Sequence, residues 1–270
     1  MLTRVALTLQ QRASVHRAQS HKTIKGQLNQ DPIPQSAQRQ TYSPSYVGKL
    51  FDSIAHRYDL LNHVLSFGLD FHWRRRAVRH LRQYSPAKIL DVATGTADLA
   101  IAAATLNPQE IVGVDISQRM LERGKAKVER ANLASKIRLE RGSAESLPFD
   151  EGTFDATMVA FGARNFSNLE QGLREMYRVL APGGVIIVLE FSTPRCALMR
   201  GAYRFYSRRV LPRIGGLISR NKEAYEYLPA TVNEFPYGKD FADILRTIGF
   251  LRTEFIPLSF GIATIYTGHK

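Results

Sequence analysis

Two apolar runs in this chain each end in an aspartate, and a loop with a single glycine lies between them. In "ILDVATGTADLAIA" (residues 89–102), Asp91 ends the first run, Gly95 and Thr96 stand in the loop, and Asp98 opens Ala-rich, helix-like sequence. In "EIVGVDIS" (residues 110–117), Asp115 ends the second run twenty residues beyond Gly95. A strand, a tight loop, a helix and a second strand ending in an acid make an arrangement suited to a nucleoside, because the acid can accept hydrogen bonds from ribose hydroxyls. The other half of a dinucleotide site is missing. A pyrophosphate needs close backbone approach at several glycines and a bare helix N-terminus, whereas this loop has Gly95 alone and carboxylates at Asp91 and Asp98. Negative charge around the loop suits a cationic ligand better than a phosphate.

S-adenosylmethionine carries ribose, adenine, an ammonium group and a sulfonium, and no phosphate, so these residues favour it over NAD or ATP. A third stretch, "ERGSAESLPF" (residues 140–149), places the small pair Ser143–Ala144 where a turn could meet the adenine. Taken alone it reads better as an ordinary polar turn.

The elements that must position these residues follow from the apolar pattern. After Pro86 apolar strands alternate with amphipathic helices: "KILDVA", "EIVGVDI", "IRLERGSA", "FDATMVAFG" and "GGVIIVLEF" read as strands, and "DLAIAAATL", "QRMLERGKAKVERA" and "LEQGLREMYRVL" as helices. Such alternation calls for an α/β fold, a Rossmann-like parallel sheet with helices on both faces, and the ligand at the carboxyl ends of its strands. The chain closes with a helix, "GKDFADILRTIGF", and a strand pair, "TEFIPLSFGIATIYTGHK", which suits a seven-stranded sheet finished by an antiparallel strand. From Tyr42 to about Gln83 apolar residues recur at helical steps, punctuated by Gly68 and Asp70, which predicts added N-terminal helices. The expected organisation is an extension over 1–41 and one domain over 42–270. Within that domain come N-terminal helices (42–84), a cofactor-binding core (86–194), a basic insert (195–238), and a C-terminal helix with a strand pair (239–270).

Composition narrows the partners. The 270 residues are 44% hydrophobic, and 37 Lys and Arg against 24 Asp and Glu give a formal charge of +13, so an anionic partner fits, either nucleic acid or a membrane surface. One cysteine, Cys196, excludes an intramolecular disulfide framework, and no apolar stretch is long enough to cross a bilayer. Residues 1–40 are rich in Gln, Ser and Arg with no acid before Asp31, the composition of a disordered segment. Their first twenty residues have the look of an organellar transit peptide, with a bacterial leader or an early start as the alternative. Between Arg195 and Lys222 eight basic residues and no acidic one alternate with apolar side chains, as in a basic amphipathic helix pair. His56, His63 and His72 lack metal-ligand spacing, so no metal is expected.

Three separated motifs carry a resemblance: "YDLLNHVLSFGLDFHW" (58–73), "FGARNF" (161–166) and "RVLAPGGVIIVLEFS" (178–192). With them the chain resembles a class I S-adenosylmethionine-dependent methyltransferase, and more narrowly the ubiquinone/menaquinone biosynthesis C-methyltransferase family. The resemblance implies methylation of a ring carbon on a polyprenylated quinol, most often demethylmenaquinol, with a methoxy-benzoquinol of the ubiquinone pathway as the alternative. It carries the cofactor site onto Thr96, Asp115 and Ser143–Ala144, and puts Ala160 where some members have serine, leaving that contact to the backbone. Asp70 departs from a histidine found in many members.

Methyl transfer from a sulfonium needs alignment more than a covalent helper, and ring carbon becomes nucleophilic once a neighbouring hydroxyl loses its proton. Arg164 is the expected stabiliser of the resulting oxyanion, against the alternative of a salt bridge holding the strand-four loop. Asn165 would bind substrate or cap the turn. Tyr58 and Asn62 share a helix face that could close over the cofactor, and His63 is a candidate proton acceptor. A lipid-borne substrate implies work at an anionic membrane surface, cytoplasmic and peripheral, with a homodimer as one assembly. No nucleic acid is expected, because neither an Asn/Asp-Pro-Pro-aromatic motif after strand four nor a cysteine in a nucleophile's context is present. A non-catalytic subunit of a quinone-biosynthesis complex is the remaining rival.

Overall fold

Ser43 and Pro44 start the first helix for a local reason. The Ser43 hydroxyl accepts the Tyr46 amide at 3.2 Å, and Pro44 lacks the N–H that a first turn cannot satisfy. The structure, a computed structural model, describes residues 43–194, 200–201, 209, 231–232 and 234–270. The N-terminal extension and the basic helix pair expected over 195–222 therefore lie outside the described residues, apart from Arg200, Gly201 and Arg209.

Helix α1 spans Pro44–Leu65 and α2 spans Leu69–Arg82. Gly68 interrupts the helical pattern as expected, but Asp70 does not. Phe67 and Gly68 take left-handed φ values of 53° and 72° and turn the chain, while Asp70 lies inside the first turn of α2, where the helix dipole favours an acid. Then follow β1 (Lys88–Val92), α3 (Asp98–Ala103), β2 (Glu110–Asp115), α4 (Gln118–Arg130), β3 (Ile137–Arg141), β4 (Phe154–Ala160), α5 (Leu169–Val179), β5 (Leu180–Phe191), α6 (Lys239–Ile248), β6 (Leu251–Leu258) and β7 (Ala263–His269). Two elements are shorter than their apolar runs suggest. A 3₁₀ turn over Ala104–Leu106 ends the Ala-rich helix, and β3 stops at Arg141, after which Ser143 and Ser146 form an isolated bridge.

The seven strands form one sheet in the order β3-β2-β1-β4-β5-β7-β6. The first five pair in parallel, and β7 runs antiparallel to both β5 and β6. Alternate side chains fill opposite faces, as the pleat requires. Ile89 and Ile111 join Trp73 and Leu81 of α2, Leu99 of α3 and Leu121 of α4; Leu90 and Val112 join Leu173 of α5 and Phe241 of α6. Helices thus cover both faces, and the strand carboxyl ends of β1, β2, β3 and β4 stand along one edge, where the loops of interest lie. No helix among the described residues is long and apolar enough to cross a membrane.

Trp73 fastens α2 to the far end of the sheet. It is 1% exposed, packs edge-on against Phe191, and donates from Nε1 to the Ser259 hydroxyl at 2.9 Å, just before β7. Trp73→Ala is expected to cost about 3–5 kcal/mol and to lower the thermal midpoint by roughly 10 °C, read by circular dichroism; a midpoint within a degree of the parent would contradict this packing.

Candidate active site

The loop after β1 is built on backbone that most residues avoid. Ala93, Gly95 and Ala97 have φ values of 53°, 57° and 68°, and Phe161, in the loop after β4, has 57°. Left-handed non-glycine residues persist where the surroundings over-determine them, commonly around functional sites. The two loops also touch closely. A Cβ added to Gly162 would lie 2.7 Å from the Ala93 Cβ, so only glycine fits there.

Asp115 is aimed by this loop. Its Oδ2 accepts the Gly95 amide at 2.8 Å and its Oδ1 accepts the Ser117 amide at 2.8 Å. Burial pushes its carboxyl up, and these amides work against that shift by favouring the charged form. Asp91 lies beneath the loop instead. It accepts the Thr94 hydroxyl at 2.6 Å, and burial raises its carboxyl to about 7, so near neutrality it carries only part of a charge.

Helix α1 covers the loop. Pro44, Val47, Phe51 and Tyr58, spaced at helical intervals, line a pocket together with Gly95, Asp115, Ile116, Met120, Ser143, Ala144, Glu145, Ala160, Asn165 and Phe166. The pocket holds about 650 Å³ of empty space counted to its open mouth. Polar ties hold the cover down. Asp52 of α1 accepts the Ser117 hydroxyl at 2.5 Å and the Arg119 amide at 3.1 Å, at the N-terminus of α4. Asp59 accepts the Thr96 hydroxyl at 2.5 Å and pairs with Lys127 at 3.1 Å. Lys127 also meets Asp98, whose other oxygen lies 3.9 Å from Arg74. Arg74 bonds the buried Asp70, which also takes Ser66 Oγ at 2.7 Å and His63 Nδ1 at 2.8 Å. Burial works to raise the Asp70 carboxyl, but the bond from Ser66 and the charge of Arg74 outweigh it and hold it below the usual range.

The structure brings together seven of the residues expected from the sequence: Gly95, Asp115, Ser143, Ala144, Ala160, Tyr58 and Asn165 all line the pocket. Five others face elsewhere. Thr96 turns to Asp59, Asp98 to Lys127 and Arg74, Asp91 to Thr94, and His63 to Asp70 with its ring stacked on Phe71 at 4.1 Å. Arg164 is buried in an ion pair with Glu190 Oε1 at 2.7 Å, donates to the Phe161 carbonyl at 2.5 Å and lies over the Phe191 ring, the geometry of a bridge holding the strand-four loop.

The charge argument changes accordingly. Asp98 is offset by its cations and Asp91 is partly neutral, so the negative charge facing the pocket comes from Asp115 and Glu145 rather than from the first loop. Glu145 was missed by sequence reasoning. Its Oε2 accepts the Ser143 hydroxyl and its Oε1 the Ser167 amide at 2.7 Å, joining the loops after β3 and β4. Phe51 and Met120 were also missed as lining residues, since their apolar spacing reads as core; Ile116 had a positional signal, directly after Asp115. Among the described residues no cluster of His, Cys, Asp and Glu could hold a metal.

The lining suits S-adenosylmethionine. An oriented carboxylate at Asp115 matches a ribose diol, Ile116, Met120 and Ala144 offer apolar surface to an adenine, and the small residues Gly95, Ala160 and Gly162 leave room for the remainder. Asp115→Asn is expected to weaken S-adenosylmethionine binding by about 10- to 100-fold in calorimetric titration, because charged hydrogen bonds are lost with little change of shape. Asp91 gives a pH test. Its folded value lies above the ordinary carboxyl value, so between about pH 4 and pH 7 the folded protein keeps a proton that the unfolded chain has released. Stability from this group is therefore lost as pH rises through that window and is level above it. Asp91→Asn should remove the slope, so that the variant gains several degrees in thermal midpoint on the parent between pH 5 and pH 8; parallel midpoints would contradict the assignment.

The profile of the ubiE/COQ5 methyltransferase family matches residues 38–270. The chain is 48% identical over 226 residues to a ubiquinone/menaquinone biosynthesis C-methyltransferase UbiE of Geotalea daltonii, covering 83% of this chain and 96% of that protein. It is 45% identical over 225 residues to a demethylmenaquinone methyltransferase of Bacteroides fragilis, covering 83% and 92%. Among solved structures, the cyclase SpnF superposes with a TM-score of 0.61 at 17% identity, covering 84% of this chain and 96% of that one. A SAM-dependent methyltransferase of Thermotoga maritima gives 0.58 at 19%, covering 82% and 99%. At such identities the two superpositions report the fold, the class I methyltransferase sheet expected from the strand pattern. The sequence match over nearly the whole described chain goes further: this protein, with its pocket under α1, belongs to the ubiE/COQ5 methyltransferase family.

Proposed function

We propose that this methyltransferase transfers a methyl group from S-adenosylmethionine to a ring carbon of a polyprenylated quinol, demethylmenaquinol before the methoxy-benzoquinol of the ubiquinone pathway. The relatives' names support the substrate class. The observation that carries the reading is that Asp115, at the nucleoside end, and the polar pair Tyr58 and Asn165 line one continuous pocket. When bound, S-adenosylmethionine supplies an electrophilic methyl group.

The chain's own residues then have separable tasks. Tyr58 is raised by burial, with Arg164 the largest opposing charge and an Asn62 hydrogen bond next, so at neutral pH it remains a phenol. It therefore acts as a hydrogen-bond donor toward a quinol oxyanion rather than as a base. Asn165 offers a second polar side chain from the loop after β4. Arg164, paired with Glu190, stabilises negative charge near Tyr58 through space while fixing the loop. Helix α1 excludes water from the seat of the reaction. A prenyl tail keeps such a substrate in a bilayer, and the basic segment 195–222 is a fitting contact for anionic headgroups at its surface.

The test offers labelled S-adenosylmethionine with reduced demethylmenaquinone, the reduced ubiquinone precursor and mixed tRNA side by side. Label is expected in demethylmenaquinol first and none in RNA. Label in RNA, or cofactor binding without any quinol product, would overturn the reading. Tyr58→Phe should lower kcat by about 10- to 100-fold while the cofactor Kd stays within a few-fold, since the donor acts on developing charge.

A further inference from the structure

The corner between α1 and α2 exposes what a folded protein normally hides. Five of the nine exposed large hydrophobic side chains among the described residues fall between Leu60 and Phe71: Leu60, Val64, Phe67, Leu69 and Phe71. Phe67, at the tip, is 76% exposed and holds a left-handed φ of 53°, a conformation costly for a bulky residue. Scattered exposed apolar residues need no explanation, but a contiguous group does.

Basic residues flank the group. Phe71 lines an open cleft with Arg75, Arg79 and Arg82, which repeat along one face of α2, and with Ile101, Ala102 and Thr105. All three arginines are exposed, and none forms an ion pair with a described residue. The one acid in the cleft, Asp98, is already engaged by Lys127 and Arg74. An apolar tip beside free cations matches a lipid surface, with acyl chains under the tip and anionic headgroups at the arginines.

We infer that the α1–α2 corner is a membrane-docking element: Phe67 and Leu60 enter the acyl region of an anionic bilayer while Arg75, Arg79 and Arg82 meet its headgroups. This surface uses none of the residues of the basic segment 195–222. It follows from which faces α1 presents: Val47, Phe51 and Tyr58 turn inward to the pocket, and Lys49, Ser53, His56, Leu60 and Val64 turn outward. One helix then has the cofactor pocket on one side and lipid on the other, close to where a membrane-borne substrate must enter. That last point rests on the proposed function, but docking itself does not.

The experiment is co-sedimentation of the full chain with phosphatidylcholine vesicles containing none or about 30% phosphatidylglycerol, the anionic fraction supplying the headgroup attraction. Two variants are compared with the parent, Phe67→Ser with Leu60→Gln, and Arg75→Gln with Arg79→Gln and Arg82→Gln. All changed side chains are exposed, and unchanged thermal midpoints confirm folding. The parent should bind only the anionic vesicles. The apolar variant should bind about tenfold more weakly and the arginine variant about a hundredfold more weakly. Both should lose rate on a vesicle-borne long-tailed quinol and keep it on a tail-less soluble one. Absence of quinol methylation would defeat the proposed function while leaving the binding result readable. The inference is overturned if the parent ignores anionic vesicles, if both variants bind like the parent, if millimolar inorganic phosphate alone displaces the chain, or if the variants lose self-association instead of vesicle binding.

Discussion

Charge placed between packed helices must find a partner, and here that requirement closes on itself. From His63 on α1 the contacts run to Asp70 and Arg74 on α2, to Asp98 at the start of α3, to Lys127 on α4, and back to Asp59 on α1. Four helices are thereby tied in one circuit, with acid and base alternating. Helix α1 joins no strand and precedes the sheet in the chain, so without this circuit its position over the first loop would rest on the Asp52 bonds to Ser117 and Arg119 and on apolar contacts such as Val47, Leu50 and Ala55. Removing Asp70 or Arg74, the two buried members, would leave the other buried with a charge less well compensated, which is more costly than the small net gain of the intact pair.

The pocket inherits its geometry from that arrangement. Asp115 points correctly because the Gly95 and Ser117 amides hold both of its oxygens, and the Ser117 end of α4 is in turn held by Asp52 of α1. Cover, loop and the pocket-lining Asp115 are therefore positioned by one set of contacts. Glu145 does the same on the opposite side by joining the loops after β3 and β4.

Much of this was legible in the chain before any coordinates. Strands reveal themselves as apolar runs, and the place of Asp115 at a strand end, in the pocket lining, is a local fact of the same kind. What could not be read was where side chains turn. Thr96, Asp98 and Arg164 have residue types that suit a ligand, yet their partners, Asp59, Lys127 and Glu190, lie 37, 29 and 26 residues away. No local pattern encodes such pairings. Phe51 and Met120 illustrate the converse limit, since an apolar residue facing a pocket and one facing the core follow the same helical spacing. Asp70, expected to punctuate the helical pattern together with Gly68, instead lies in the first turn of α2, because Phe67 and Gly68 make the turn before it.

The Arg164–Glu190 pair bears on how this protein can vary over time. Both side chains are almost wholly buried, one on the loop after β4 and the other near the end of β5. Changing either alone strands an ion in a medium that cannot solvate it, whereas exchanging both for apolar groups of similar volume can be nearly neutral for stability. Positions 164 and 190 thus behave as a single heritable unit, and drift at this loop must proceed by paired steps or stay where it is.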